Sequence, residues 1–209
     1  MMETLTRMIP VFKNRKFNGL KEDYPLFREV SINKTLRQED PLLSKSREFR
    51  LFKTIRNESG EEVLDYITQF VDLGSEQTQV LSTTTLFNVT CLQDEFYEYI
   101  VNLKKFNDVR RVNKFLEALN DKIEPHGLFV GCIETLEQRK QRLINKFPPL
   151  LNRLYLTGDY IFKRVFPKMP LTKQIYFVLT GGRNRVISRA EILGRIYSCG
   201  FEIVDERTI

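Results

Sequence analysis

The stretch from Tyr97 to Glu134 leaves this chain few folds to choose from. YEYIVNLKKF, NDVRRVNKFLEALNDKI and EPHGLFVGCIE follow one another with only a few turn residues between. A short β-rich apolar run, a helical period and a second apolar run read as strand, helix, strand. In the middle segment Val109, Val112, Leu116, Leu119 and Ile123 recur at spacings of three and four and Phe115 widens the stripe, while Arg110, Arg111, Asn113, Lys114 and Glu117 fall on the other side. Such a helix has one apolar and one solvated face. Asp108 is placed to cap its start, since its carboxylate can accept from first-turn amides, and Pro125 and Gly127 in EPHG are expected to stop it. YIVNL and LFVGCI are too apolar for strands wet on one side, so they are expected to be central, covered on both faces and joined by a crossover helix.

The rest of the chain is read outward from this unit. Residues 1–44 have no sustained period and are punctuated by Pro10, Gly19, Pro25 and Pro41, so they are expected to form an irregular N-terminal arm. Phe12, Phe17, Tyr24, Leu26 and Phe27 would pack parts of it on the body. The body is expected to be one domain, 45–209. Residues 45–57 suit a short helix with Phe49, Phe52 and Ile55 inward and Arg47, Arg50, Lys53 and Arg56 as a basic comb. Ser59 and Glu62 have the spacing of a capping box, opening a helix from Gly60 to about Val71 that buries Val63, Leu64, Ile67, Phe70 and Val71. Val80 and Leu81 in a threonine-rich run mark a strand. Further boxes, Thr135 with Gln138 and Ser188 with Glu191, open helices that end near Pro148 and at Gly200, and FEIVDERTI closes the sequence as a strand. This order predicts an α/β fold with a mostly parallel sheet.

Composition narrows the function classes. Of 209 residues, 42% are hydrophobic and 29% charged, as in ordinary globular proteins. No apolar run approaches the ~20 residues that cross a bilayer, and no secretion signal opens the chain, so a cytoplasmic protein is expected. Cys91, Cys132 and Cys199 are odd in number and lack CxxC spacing, which argues for reduced thiols rather than disulfides or structural zinc. A net charge of +6 comes from 33 basic residues interspersed with 27 acidic ones. That pattern serves solubility first, phospholipid headgroups or nucleotide phosphates next, and nucleic acid, which is not expected as a partner, last.

Several motifs weaken when weighed. VDLGSE (71–76) superficially matches the acidic-x-Gly opening of an S-adenosylmethionine site, but a helix precedes it where a strand is needed, so no cofactor is expected. TGGRNR (180–185) lacks the ending of a P-loop and reads as a turn. His126 is the only histidine, which excludes a multi-histidine metal site within the chain. Asp205 and Glu206, adjacent on a strand, point to opposite faces. Ligands of open α/β sheets sit beyond the carboxyl ends of the strands, which makes Thr83, Thr84, Asn102, Lys104, Glu134 and Thr135 the candidate ligand-binding residues. A second candidate is a docking surface in 150–185. There Arg153, Lys163, Arg164, Lys168, Arg183 and Arg185 are interleaved with large apolar side chains, a mixture that suits a membrane surface or a partner protein.

The run YIVNLKKFNDVRRVNKFLEALNDKI followed by GLFVGCIET resembles the later half of a class I methyltransferase, which implies a Rossmann-like domain without its glycine-bearing half. With NKFPPLLNRLY, RVFPK and GRNRVISRAEILGRIYSCGFEIVDE, residues 55–209 resemble the N-terminal region of bacterial capsule and exopolysaccharide sugar transferases. These are similar to polyprenyl-phosphate glycosylphosphotransferases, which move a sugar phosphate from a nucleotide sugar to a lipid phosphate at the cytoplasmic membrane face. The catalytic region of that family lies C-terminal and none of its motifs match here, so no catalytic residue is carried over. The resemblance implies a non-catalytic accessory or regulatory domain whose partner is a C-terminal sugar transferase domain or a sibling protein, with peripheral contact at the inner face of the membrane. Two rivals are an S-adenosylmethionine-dependent methyltransferase with a noncanonical site and a basic membrane-surface adaptor.

Overall fold

The structure is a computed structural model that describes residues 7–15, 41–146 and 148–209. Its centre is a five-stranded mixed sheet in the order β2-β3-β4-β1-β5, formed by Met8–Asn14 (β1), Thr78–Leu81 (β2), Tyr97–Lys105 (β3), Ile123–Cys132 (β4) and Phe201–Thr208 (β5). β2, β3 and β4 run parallel, and β1 is antiparallel to both β4 and β5. Helix α4, Val112–Lys122, makes the crossover from β3 to β4, as the periodicity predicts.

Alternation along the strands divides the core in two. Met8, Phe12, Ile100 and Phe129 point to one face, where α4, the short helix Leu86–Thr90 (α3) and Arg189–Ser198 (α8) cover them. Ile9, Val11, Val101 and Val130 point to the other face, under Pro41–Ser59 (α1) and Glu61–Ile67 (α2). The result is a three-layer α/β/α arrangement. Phe12, Phe106, Phe129 and Phe201 form a ring cluster on the first face. Gly131 makes room for it, because a Cβ there would stand 2.6 Å from the Phe106 ring.

The arm expected over 1–44 is corrected at both ends. Met8–Asn14 is an inner strand with fully buried Ile9, Val11 and Phe12, and α1 begins at Pro41, across the expected boundary. Pro10 disguises the strand, since it has no N–H for a ladder bond. The register that sets Val11 opposite Val130 and Met8 opposite Ile133 places Pro10 opposite Gly131, where the regular β1–β4 pairing breaks. Phe17, Tyr24, Leu26 and Phe27 lie outside the described residues.

Three helix boundaries also differ. Asp108 does not cap α4. It ends a 3-10 turn, Phe106–Asp108, and its carboxylate accepts from the Asn184 amide at 2.7 Å, while Arg111 holds the cap position. EPHG does not form a turn. α4 passes directly into β4, and EPHG becomes an irregularity where the register moves from Tyr97↔Ile123 to Tyr99↔Leu128, with His126 at φ 71°. The Ser59–Glu62 box is not made either: Ser59 is the last residue of α1, its hydroxyl is buried without a partner, and Gly60 at φ 94° precedes α2. Phe49 is 71% exposed rather than inward. The other two boxes hold in part or whole. Thr135 and Gln138 bond reciprocally at the start of Leu136–Lys146 (α5), and Ser188 accepts from the Glu191 amide while the Glu191 carboxylate turns to arginines.

From Pro148 the chain leaves the sheet as Pro149–Tyr160 (α6), a π turn Ile161–Val165, a 3-10 turn Phe166–Lys168 and Pro170–Thr180 (α7). Tyr176 packs edge to face with Phe162 and Phe177, Phe162 lies tilted against Phe166, and the group ties α7 to the turns. No helix among the described residues is long and apolar enough to cross a membrane.

Candidate functional site

The carboxyl ends of β2, β3 and β4 carry the polar residues expected to meet a ligand, but most of them bond to one another. The Asn102 carboxamide donates to the Thr83 carbonyl at 3.0 Å and accepts from the Thr83 amide at 3.1 Å, so it acts as one more backbone pair between β3 and the segment after β2. The Thr83 hydroxyl accepts from Asn88 and from the Thr85 amide, and Thr84 is half-buried beside it. Asn107 repeats the device one strand over, exchanging two bonds of 2.8 Å with the Glu134 backbone and donating also to the Arg185 carbonyl. Lys104 turns away toward Glu58 on α1, and Thr135 caps α5. The six candidates therefore do not converge on one point.

Glu134 is the exception in chemistry. Its side chain is 1% exposed, and burying a carboxylate is costly unless it is paired. Arg142 Nε donates to it at 2.7 Å, while Lys105 Nζ and Arg139 Nη1 stand 3.5 and 3.7 Å from its second oxygen, which makes no hydrogen bond. Arg139 also grips Asp159 on α6 with two bonds of 2.7 and 2.9 Å, and Lys163 approaches the same carboxylate at 3.3 Å. Burial works against ionisation of Asp159, but the Arg139 bonds and the charge of Lys163 hold its carboxyl below the ordinary aspartate range. Four cations here face two carboxylates. The arginines belong to α5, one helix beyond the strand end, which is why strand-end reasoning finds Glu134 and misses its partners.

A basic cleft of about 160 Å³ opens between the turns before α7 and helix α8. Lys163, Arg164, Lys168, Lys173, Arg185 and Arg195 line it, with Glu191 as the one acidic side chain and Phe177, Val186 and Ile187 among the apolar ones. Glu191 accepts from Arg195 at 3.1 Å and from Arg164 at 3.3 Å. Arg185 donates to the Val109 carbonyl at 2.8 Å, but its Nε is buried without a partner. Of the six docking residues expected from sequence, Lys163, Arg164, Lys168 and Arg185 meet here, whereas Arg153 is exposed on α6 and Arg183 is exposed in the turn after α7. Arg195 was not anticipated. Its only sequence signal is the four-residue spacing from Glu191 along α8.

The weaker motifs resolve into local structure. In VDLGSE, Asp72 accepts from the Gly74 amide at 2.9 Å and Leu73 is buried, so the segment is an Asx-type turn. TGGRNR is a turn with Gly181, Gly182 and Asn184 all at positive φ. Asp205 accepts from Tyr66 on one face of the sheet, and Glu206 pairs with Arg189 of α8 on the other. All three cysteines are free, and burial pushes the Cys132 thiol up to about 11.

No family model, curated protein or solved structure matches this chain.

Outside the cleft, α6, α7 and the π turn that follows α6 present apolar side chains to solvent. Leu154 is 75% and Val178 84% exposed, and Leu151, Tyr155, Ile161, Ile175 and Leu179 are also exposed. Large apolar groups exposed in such number mark a surface suited to being covered by something else.

Proposed function

We propose that this chain is a non-catalytic accessory domain, methyltransferase-like in descent, that holds a sugar-phosphate transferase at the cytoplasmic face of an anionic membrane. The observation that carries the reading is the pair of helices α6 and α7. Their exposed apolar side chains stand beside the exposed cations Arg153, Lys168 and Lys173. An apolar face rimmed by cations suits the headgroup boundary of an anionic bilayer, where apolar burial and about 1 kcal/mol per basic residue add together.

Two further observations support it. Asn102, Asn107 and Thr83 are engaged in backbone pairing at the carboxyl ends of the parallel strands, where an enzyme of this architecture would place its ligands, which favours a scaffolding role. The segment GRNRVISRAEILGRIYSCGFEIVDE, on which the sugar transferase resemblance chiefly rests, forms the last turn, α8 and β5. In this reading β3 and β4 stand for the fourth and fifth strands of the methyltransferase sheet.

Sedimentation with vesicles tests the proposal. The chain is expected to bind vesicles rich in anionic lipid at low salt, to bind neutral ones at least tenfold more weakly, and to lose binding when Leu154 and Val178 are both changed to Glu. Both side chains are exposed, so the variant keeps its fold. Equal partitioning onto both lipids, or none onto either, contradicts the proposal and leaves a protein as the occupant of this face.

A further inference from the structure

We propose that the basic cleft between the α6–α7 turns and α8 is a binding site for a diphosphate group. Its lining holds six basic side chains and one acidic one. Even with Asp159, just outside, set against Lys163, cations outnumber carboxylates six to two. Among the described residues Lys168, Lys173 and Arg185 have no carboxylate within ion-pair distance, and Lys163 and Arg164 share theirs with Arg139 and Arg195. Like charges gathered in a concave, partly apolar wall repel one another, and a bound anion relieves that repulsion. The excess is more than one phosphate neutralises at about −1.5 to −2 charges, and a diphosphate carries roughly twice that.

The geometry adds two observations. Arg185 Nε, on the cleft wall, is buried and unpartnered, and so is the hydroxyl of Tyr176, a fully buried residue whose ring packs on the cleft residue Phe177. A buried donor without a partner is costly, and Arg185 Nε is one that sits in the wall of an opening lined with phosphate-binding side chains. Burial and the neighbouring Arg195 also lower the Arg185 pKa, a strain that an anion in the cleft would remove. The cleft is small against the roughly 300–1,000 Å³ of sites that enclose a drug-sized ligand, so it admits a charged group with the rest of its carrier outside.

The site shares Lys168 and Lys173 with the basic rim of the apolar face of α6 and α7, and soluble probes, which have no bilayer to offer, separate the two. Titration calorimetry of the full chain with inorganic pyrophosphate at low salt is expected to show saturable binding, at least tenfold tighter than inorganic phosphate. Lys168→Gln with Lys173→Gln, at exposed positions, weakens it at least tenfold, while Leu154→Ser with Val178→Ser, which brings no charge near Lys168 and Lys173, leaves it unchanged. Arg185→Gln, checked for an unaltered melting temperature, weakens it as well. Farnesyl diphosphate and uridine diphosphate distinguish a lipid-borne from a nucleotide-borne source, the true source binding more tightly than pyrophosphate alone. Absence of saturable pyrophosphate binding, equal affinity for phosphate, or no loss in the Lys168/Lys173 variant overturns the proposal, whatever the vesicle experiment gives.

Discussion

Asn107 joins three segments with one carboxamide, and it shows how much of this fold rests on single polar side chains in the core. It pairs with both backbone groups of Glu134 and reaches the Arg185 carbonyl, while its own carbonyl accepts from the Arg185 amide. Truncating it strands buried donors and acceptors at a cost on the order of 1–3 kcal/mol each. Asn107→Ala is expected to lower the unfolding free energy by roughly 2–4 kcal/mol, read from the denaturant midpoint. A loss under about 0.5 kcal/mol would mean the staple contributes nothing. An asparagine at a strand end is visible in the sequence. Whether it faces a ligand or a neighbouring backbone is not, because that depends on a partner 27 residues away.

At the scale of elements, the β3–α4–β4 unit is legible because burial on both faces of a strand leaves an unbroken apolar run, and burial on one face of a helix leaves a period of three and four. β1 was hidden because its core position comes from pairing with β4 and β5 more than a hundred residues away, and Pro10 argues locally against it. The Glu134 site was half legible: the carboxylate sits where strand ends point, but Arg139, Arg142 and Asp159 reach it from two later helices. The Arg139–Asp159 pair, with side chains 4% and 8% exposed, locks α5 to α6. The Asp159 pKa is lowered in the folded chain, so its contribution is complete above the unfolded value of about 3.9 and is lost as pH falls through the folded value. The stability gap between the native chain and Asp159→Asn, measured by urea unfolding from pH 7 to pH 3, is expected to hold down to about pH 5 and to close below about pH 4. Parallel curves across that range would show that the pair is not what joins these helices.

At the scale of the whole molecule, the carboxyl ends of the parallel strands are tied off by asparagines and a buried ion cluster, while Leu154 and Val178, the two most exposed large apolar side chains among the described residues, lie on the excursion from α6 to α8. That excursion gathers an apolar face and a basic cleft side by side, and a net charge of +6 favours approach to an anionic surface. Hydrogen–deuterium exchange of the full chain with and without anionic vesicles tests the docking claim most directly. Protection confined to Pro149–Tyr160, Pro170–Thr180 and the turns between them, and absent with neutral vesicles, is the predicted result. Protection centred on α1, α2 or β5, or no change anywhere, would contradict it.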